Sequence, residues 1–375
     1  ADTTNYNTAT TTTTVTVNKA TPTVATAPTA TLSYGQMLSS AVISGGSATG
    51  VGGATVLGSY SFNSPATTPS AIGTSSYAAT FTPSGADANN YNTASTSISV
   101  TVGFASVDGG TVTQNFNSAS PTAETRVTSF PGWSSNNSQG ADGFVTVNDD
   151  PDNVAAYIGA FISDVPNPEL VYQFNRGGSE KIVFIWEQQI TESSVDFPGV
   201  DSFGWAFRNG STTLFSLRFL PEQVVANDPA WIDWDENGSR AAPNQLVAVA
   251  FDGNGLPSGG PGLGPLDQVN FSTFDRGQTV KFRVIIDLEA KTWSADVDQA
   301  GSWFGLVFAS ALPAGTTNVD RMVALWDMQD KTVTDGLYQS AGDNLMLFDN
   351  LAITGSDLGR TPVTLSLTAP TAPVI

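Results

Sequence analysis

The sequence predicts an all-β protein built from more than one domain, and three observations carry that prediction. Apolar residues recur with period two in many windows and with helical period in few. Thr, Ser, Gly and Asn are abundant, whereas Lys is confined to Lys19, Lys181, Lys281, Lys291 and Lys331. Composition also changes abruptly near residue 103: of the 34 acidic and 14 basic side chains, only Asp2, Asp87 and Lys19 lie before it, and all 8 Trp lie after it. At 375 residues and 40% apolar content, the chain has room for two or three domains, each with its own core.

The chain opens on a stretch that it later repeats. Residues 1–17 are ADTTNYNTATTTTTVTV and residues 86–102 are ADANNYNTASTSISVTV. Both hold Asn-Tyr-Asn-Thr-Ala, then a polar alternation, then Val-Thr-Val. The second copy closes a complete unit, so residues 1–18 are expected to be the terminal strand of a preceding repeat, with Val15 and Val17 on one face. Its partner is expected in the next unit, in a unit outside this chain, or in another chain by donor-strand exchange.

Residues 19–103 form that complete unit. Strands are expected at Leu38–Ile43, at Gly58–Phe62, at Ser76–Pro83 and at the period-two stretch of Ile98, Val100 and Val102, with Gly45-Gly46 as a turn. About seven short strands in such a length predict an immunoglobulin-like β-sandwich. Tyr34-Gly35-Gln36, Gly58-Ser-Tyr-Ser-Phe62 with Pro65, and Phe81-Thr-Pro83 followed by Asn90-Tyr91-Asn92 and Val100-Thr-Val102 resemble the MBG-type immunoglobulin-like repeats of bacterial surface proteins. That resemblance implies tandem arrays acting as stalks, with neighbouring repeats of the same long chain as partners and no catalytic residues. Scarce charge and abundant Thr suit an inert, extended rod.

Residues 104–355 have longer, more apolar strands. Glu180–Ile190 places Ile182, Phe184, Trp186 and Ile190 on one face, and Lys281–Asp298 forms a hairpin turning at Glu289-Ala290. Further strands are expected at Phe203–Phe207, Leu214–Leu220, Leu246–Phe251, Trp303–Phe308, Met322–Met328 and Asn344–Ile353. A dozen or so strands fit a large two-sheet jelly roll. Phe203-Gly-Trp205-Ala-Phe207, Leu214–Phe219, Val284-Ile-Ile-Asp287 with Trp293-Ser-Ala295, and Asp349-Asn350-Leu-Ala-Ile353 resemble the concanavalin A-like (LamG/lectin-glucanase) superfamily. The resemblance implies a sandwich that binds carbohydrate or protein, often with calcium. Residues 356–375, with Pro370 and Pro373, are expected to be a linker or the start of another module.

Composition excludes several chemistries. The chain has no Cys and no His, which removes disulfides, thiolate nucleophiles, Ser-His-Asp triads and His-ligated metals. A formal net charge of -20 disfavours a nucleic-acid partner. No stretch approaches the ~20 apolar residues of a membrane-spanning helix.

Asp233-Trp-Asp235-Glu-Asn237-Gly238 is the strongest local motif. Oxygen ligands at alternate positions before a Gly resemble the start of a Ca²⁺ loop, but Asn244 stands where a bidentate Glu would close it. Asp233, Asp235 and Asn237, with Asp349 from the last strand, are the candidate metal ligands; a solvated acidic turn and a turn-capping carboxylate are the metal-free alternatives. Asp149-Asp150-Pro-Asp152 is expected to be a second acidic loop, and Gly253–Gly264 a long irregular one. Trp231 and Trp234 flank the first motif, so Trp231, Trp234, Asp233 and Asn237 form the candidate sugar platform. Their rings would stack on sugar C–H faces while polar neighbours bond hydroxyls. Trp186, Trp205, Trp293 and Trp326 sit in alternating strands and are expected in the core.

Acidic residues are plentiful enough for a two-carboxylate hydrolase. The Glu-x-Asp-x-x-Glu strand of laminarinase-type members is missing, however, and lyases of this fold typically need a His or a Tyr with basic partners. The expected function is therefore a non-enzymatic fragment of an adhesin, extracellular or on the bacterial cell surface. Its partner would be a glycan or a neighbouring cell-surface protein. A self-assembling structural subunit of a matrix, sheath or filament, and a polysaccharide-active jelly roll, are the alternatives.

Overall fold

A computed structural model describes residues 4, 9–117, 125–139, 141–147, 150–159, 162–192, 201–221, 245–253, 273–328, 331–340 and 344–356. The chain divides into two compact units, Ala1–Gly103 and Phe104–Ile375. Among the described residues no helix is long and apolar enough to cross a membrane.

In the smaller unit, a five-stranded sheet runs in the order Val42–Ser44, Thr29–Ser33, Ala94–Gly103, Gly73–Pro83, Gly58–Phe62. Ala94–Gly103 is its centre, parallel to Thr29–Ser33 and antiparallel to Gly73–Pro83. Alternation turns its Ile98, Val100 and Val102 inward, where all three are buried with Leu32, Phe62 and Ala79. A three-stranded sheet of Thr23–Thr26, Ser47–Thr49 and Thr55–Val56 packs through Ala48 and Val56 onto Phe81 and Ala94. The unit is thus the two-sheet sandwich that its strand count predicts. The expected strand over Leu38–Ile43 is replaced at its start by a 3₁₀ turn, Leu38–Ser40. Leu38 N–H and Ser39 N–H donate to Thr67 O and Pro65 O, so a neighbouring turn takes the bonds that a ladder would need.

The Asn-Tyr-Asn motif has a definite task here. Asn90 O accepts from Ala20 N–H at 3.0 Å, and Asn92 N–H returns a bond to Ala20 O at 2.8 Å. Asn92 Nδ2 donates to Lys19 O at 3.2 Å, and Tyr91 Oη accepts from Val51 N–H at 3.3 Å. Asp87 Oδ2 accepts from Leu57 N–H at 2.8 Å. The motif clasps the incoming chain and the neighbouring loops into one end of the sandwich. Residues 9–18 pair with no strand among the described residues, and Val15 and Val17 are 77% and 88% exposed.

The larger unit is the expected jelly-roll sandwich. Its seven-stranded sheet runs Trp133–Ser135, Glu169–Gln173, Arg321–Asp327, Ser202–Asn209, Thr212–Pro221, Gln245–Asp252, Thr273–Asp275. The facing sheet runs Asp142–Val147, Asp150–Gly159, Leu345–Ser356, Lys181–Ile190, Val280–Asp287, Thr292–Gln299, Ser302–Ala311, with Thr111–Gln114 also paired to Leu345–Ser356. Aromatic rings from the two sheets meet in one core. Trp186 lies 5.6 Å from Trp205, Phe184 4.8 Å from Phe207, and Phe215 stacks on Trp293 at 3.8 Å. Each such ring contributes about 2–3 kcal/mol by burial. The expected acidic loop at 149–152 is partly strand, because Asp150–Gly159 pairs with Asp142–Val147. Asp149, most of Gly253–Gly264 and residues 357–375 lie outside the described residues.

Candidate functional site

Trp231, Asp233, Trp234, Asp235 and Asn237 lie outside the described residues, so neither the sugar platform nor the calcium loop has a geometry here. Asp349 does. It sits on Leu345–Ser356 where the partner on one edge changes: Phe348 pairs with Ala156, and Leu351 with Gln114. A register shift against Lys181–Ile190 and a positive φ of 50° at Asn350 mark a bulge at this point. Asp349 Oδ1 accepts from Phe116 N–H at 3.4 Å. Asn350 Nδ2 donates to Glu187 Oε2 at 2.9 Å, and Lys281 pairs with Glu187 at 3.8 Å. Burial, opposed by backbone N–H bonds from Asn350 and Phe116 and reinforced by Glu187, moves the Asp349 carboxyl above its ordinary pKa.

Among the described residues, few Ca²⁺ ligands surround Asp349. The ion requires about six to eight oxygen ligands, and Asp349 is a single carboxylate whose acidic neighbour is already engaged. Among the described residues no group of three or more acidic side chains is placed to hold a metal ion. Among the described residues, Asp349 accepts a backbone N–H at a strand bulge.

The described residues do assemble a different site. The outward positions of Lys181–Ile190, Val280–Asp287 and Thr292–Gln299 carry Lys181, Arg283, Asp287, Ser294 and Asp296, opposite the buried positions of the same strands. Together with Phe308 they line a groove of about 420 Å³. Arg283 and Asp296 are cross-strand partners, and Nε donates to Oδ2 at 2.8 Å. The guanidinium lies 4.5 Å from the Trp303 ring centroid, which fixes its plane between carboxylate and indole. Asp287 Oδ1 accepts from Glu289 and Ala290 N–H at 3.1 and 2.8 Å, closing the turn below the groove.

The rim strand Ser302–Ala311 supplies the apolar component. Two successive register shifts against Thr292–Gln299, with φ of 44° at Ala309, break its alternation. Bulges re-aim side chains, and here Phe304 and Phe308 are left 50% and 61% exposed. Gly305 is the seat of Phe308, for a Cβ there would overlap the Phe308 ring. The result is a shallow groove with an aromatic wall and a polar floor. It can present a ring to an apolar face of a ligand while offering hydroxyl, carboxylate and ammonium groups to its polar edge.

Sequence reasoning followed the inward residues of the 281–298 hairpin and passed over its outward ones. Their signal was present: Arg283 and Asp296 are opposite charges at positions that a hairpin turning at Glu289-Ala290 brings face to face. Trp186, Trp205, Trp293 and Trp326 are all buried, at no more than 1% exposure.

No protein-family model matches the chain, and no curated protein matches it. The chain is similar to the solved structure of a sialidase at 9% identity and a TM-score of 0.39, covering 75% of this chain and 21% of that one. It is similar to peanut lectin with a 9mer peptide at 13% identity and a TM-score of 0.36, over 66% of this chain and 99% of that one. It is also similar to the Ca²⁺-bound exoplasmic/lumenal domain of VIP36 at 9% identity and a TM-score of 0.34, over 64% and 89%.

Proposed function

We propose that the larger unit is a non-catalytic glycan-binding domain of an adhesin, extracellular or on a bacterial surface, with residues 19–103 as stalk. The groove beside Phe308 carries the proposal, because it joins an exposed ring to a floor of hydrogen-bonding groups. Sugars offer both faces at once, apolar C–H groups on one side and hydroxyls around the edge. Within the groove Asp296 pairs with Arg283 and Asp287 accepts turn N–H groups, an arrangement suited to positioning a polar ligand edge.

The test is binding of the full chain to an array of neutral and acidic oligosaccharides, repeated with Phe308→Ala, Arg283→Ala, Trp231→Ala and Trp234→Ala. Loss of the Phe308 ring is expected to weaken binding about tenfold, or ~1.4 kcal/mol. Arg283→Ala is expected to weaken it as well. Binding that depends on Trp231 and Trp234 alone would move the site away from the groove. Release of reducing sugar from bound polysaccharide would replace the binding role with an enzymatic one.

A further inference from the structure

The groove beside Phe308 holds one charge without a counter-charge. All the lysines of the chain lie among the described residues, and every one but Lys181 has a partner there. Lys19, Lys291 and Lys331 donate to the carbonyls of Ala88, Thr316 and Pro166, and Lys281 pairs with Glu187. Lys181 makes no hydrogen bond or ion pair among the described residues, yet it is half-buried and lines the groove. Its cross-strand neighbours are Asp287 and Ser356. Asp287 Oδ1 accepts from the N–H groups of Glu289 and Ala290, and the other carboxylate of the groove, Asp296, pairs with Arg283. The Lys181 ammonium therefore offers three donors and a charge that nothing in the groove engages.

The sheet order beneath the groove is Lys181–Ile190, Val280–Asp287, Thr292–Gln299, Ser302–Ala311. Lys181 stands on the first of these strands and Phe308 on the last, three strand spacings or about 14 Å apart at the backbone. The cation and the exposed ring thus mark opposite ends, with Ser294 and the compensated Arg283–Asp296 pair between them. A neutral sugar can occupy the hydroxyl-bonding positions but leaves the ammonium charge unmatched. A carboxylate or sulfate matches it, through hydrogen bonds about twice as strong as neutral ones. Resting on the glycan-binding reading of this groove, we infer that its ligand is an anionic oligosaccharide, with one sugar face on Phe308 and its acidic group at Lys181. Asp287 and Asp296 repel that group from the rest of the floor, which fixes the direction in which the ligand lies. A chain of net charge -20 repels anions at a distance, so the preference comes from contact at this one ammonium and is removed with it.

The test is binding of the full chain to an array that displays each uronate-containing oligosaccharide beside its methyl ester, and each sulfated one beside its unsulfated parent. At least one acidic member is expected to bind about tenfold tighter than its neutral counterpart, and the arm in which this occurs separates carboxylate from sulfate. Lys181→Met keeps the stem, removes the charge and should bring the two members of that pair to within about twofold. Lys181→Arg should restore the preference. Lys19→Met makes the same change of charge in the smaller unit and should leave the preference intact. The inference is overturned if neutral members bind as tightly as their acidic counterparts, or if the acidic preference survives Lys181→Met; binding that is still lost with Phe308→Ala then leaves the groove a neutral or unselective glycan site. Binding of no member, or binding indifferent to Phe308→Ala, overturns the glycan-binding reading of the groove and the inference with it.

Discussion

At the scale of single residues, Gln188 shows how one polar group is built into an aromatic core. It occupies an inward position of Lys181–Ile190 at 5% exposure, and its Oε1 accepts from the Nε1–H of Trp186 and of Trp205, each at 2.8 Å. One acceptor therefore satisfies two buried donors, one from each sheet. Gln188→Leu roughly preserves volume and leaves both indoles unpaired. At about 1–3 kcal/mol per unsatisfied donor, denaturant unfolding should show a loss of about 2–6 kcal/mol. A loss below ~0.5 kcal/mol would mean that the indoles have other acceptors. Alternation made Ile182, Phe184, Trp186 and Ile190 legible as one inward face, but it passed over Gln188 between them. Its role depends on Trp205, a partner in the opposite sheet, and a periodic pattern within one strand carries no information about what stands across the core.

At the scale of elements, regular strands were legible and departures from regularity were not. The 281–298 hairpin and most strands of the larger unit were foreseen, because period two and β-branched or aromatic content survive in the sequence. The bulges at Asn350 and Ala309 were missed, and they set the surroundings of Asp349 and expose Phe308. A bulge is one extra residue in a ladder, invisible until the register of the neighbouring strand is known. The Asp349 bulge makes a prediction about pH. Its folded-state pKa is raised above the ordinary 3.8, chiefly by burial. Folding is therefore favoured by the protonated form, and that contribution, complete below the ordinary value, is lost as pH rises through the raised one. Asp349→Asn keeps an oxygen acceptor for Phe116 N–H and removes the charge. The variant is expected to match or exceed the parent in stability at neutral pH, with any advantage shrinking as the parent's carboxyl protonates. Thermal unfolding from acid to neutral pH checks this. A variant less stable than the parent at neutral pH, with the deficit vanishing as the parent's carboxyl protonates, would show that the carboxylate has a partner its charge requires.

At the scale of the whole molecule, two cores and two charge regimes coincide. One hydrophobic cluster is confined to residues beyond 106, whereas the clusters of Leu32, Ile98 and Phe81 are confined to the smaller unit. The boundary between the two compact units coincides with the shift in charge and Trp usage that the sequence carries. Almost the whole net charge of -20 falls on the larger unit. Like charges on one body repel, and salt screens them over about 8–10 Å at moderate ionic strength. The unfolding midpoint of residues 104–375 is therefore expected to rise as NaCl increases from low to moderate concentration. Residues 1–103 carry only three charged side chains, Asp2, Lys19 and Asp87, and have almost no repulsion to relieve, so their midpoint should stay nearly constant. Calorimetry of the full chain follows both responses in one sample. Equal upward shifts in the two transitions would point to a general salt effect on apolar burial, and a single merged transition would show that the two cores unfold as one.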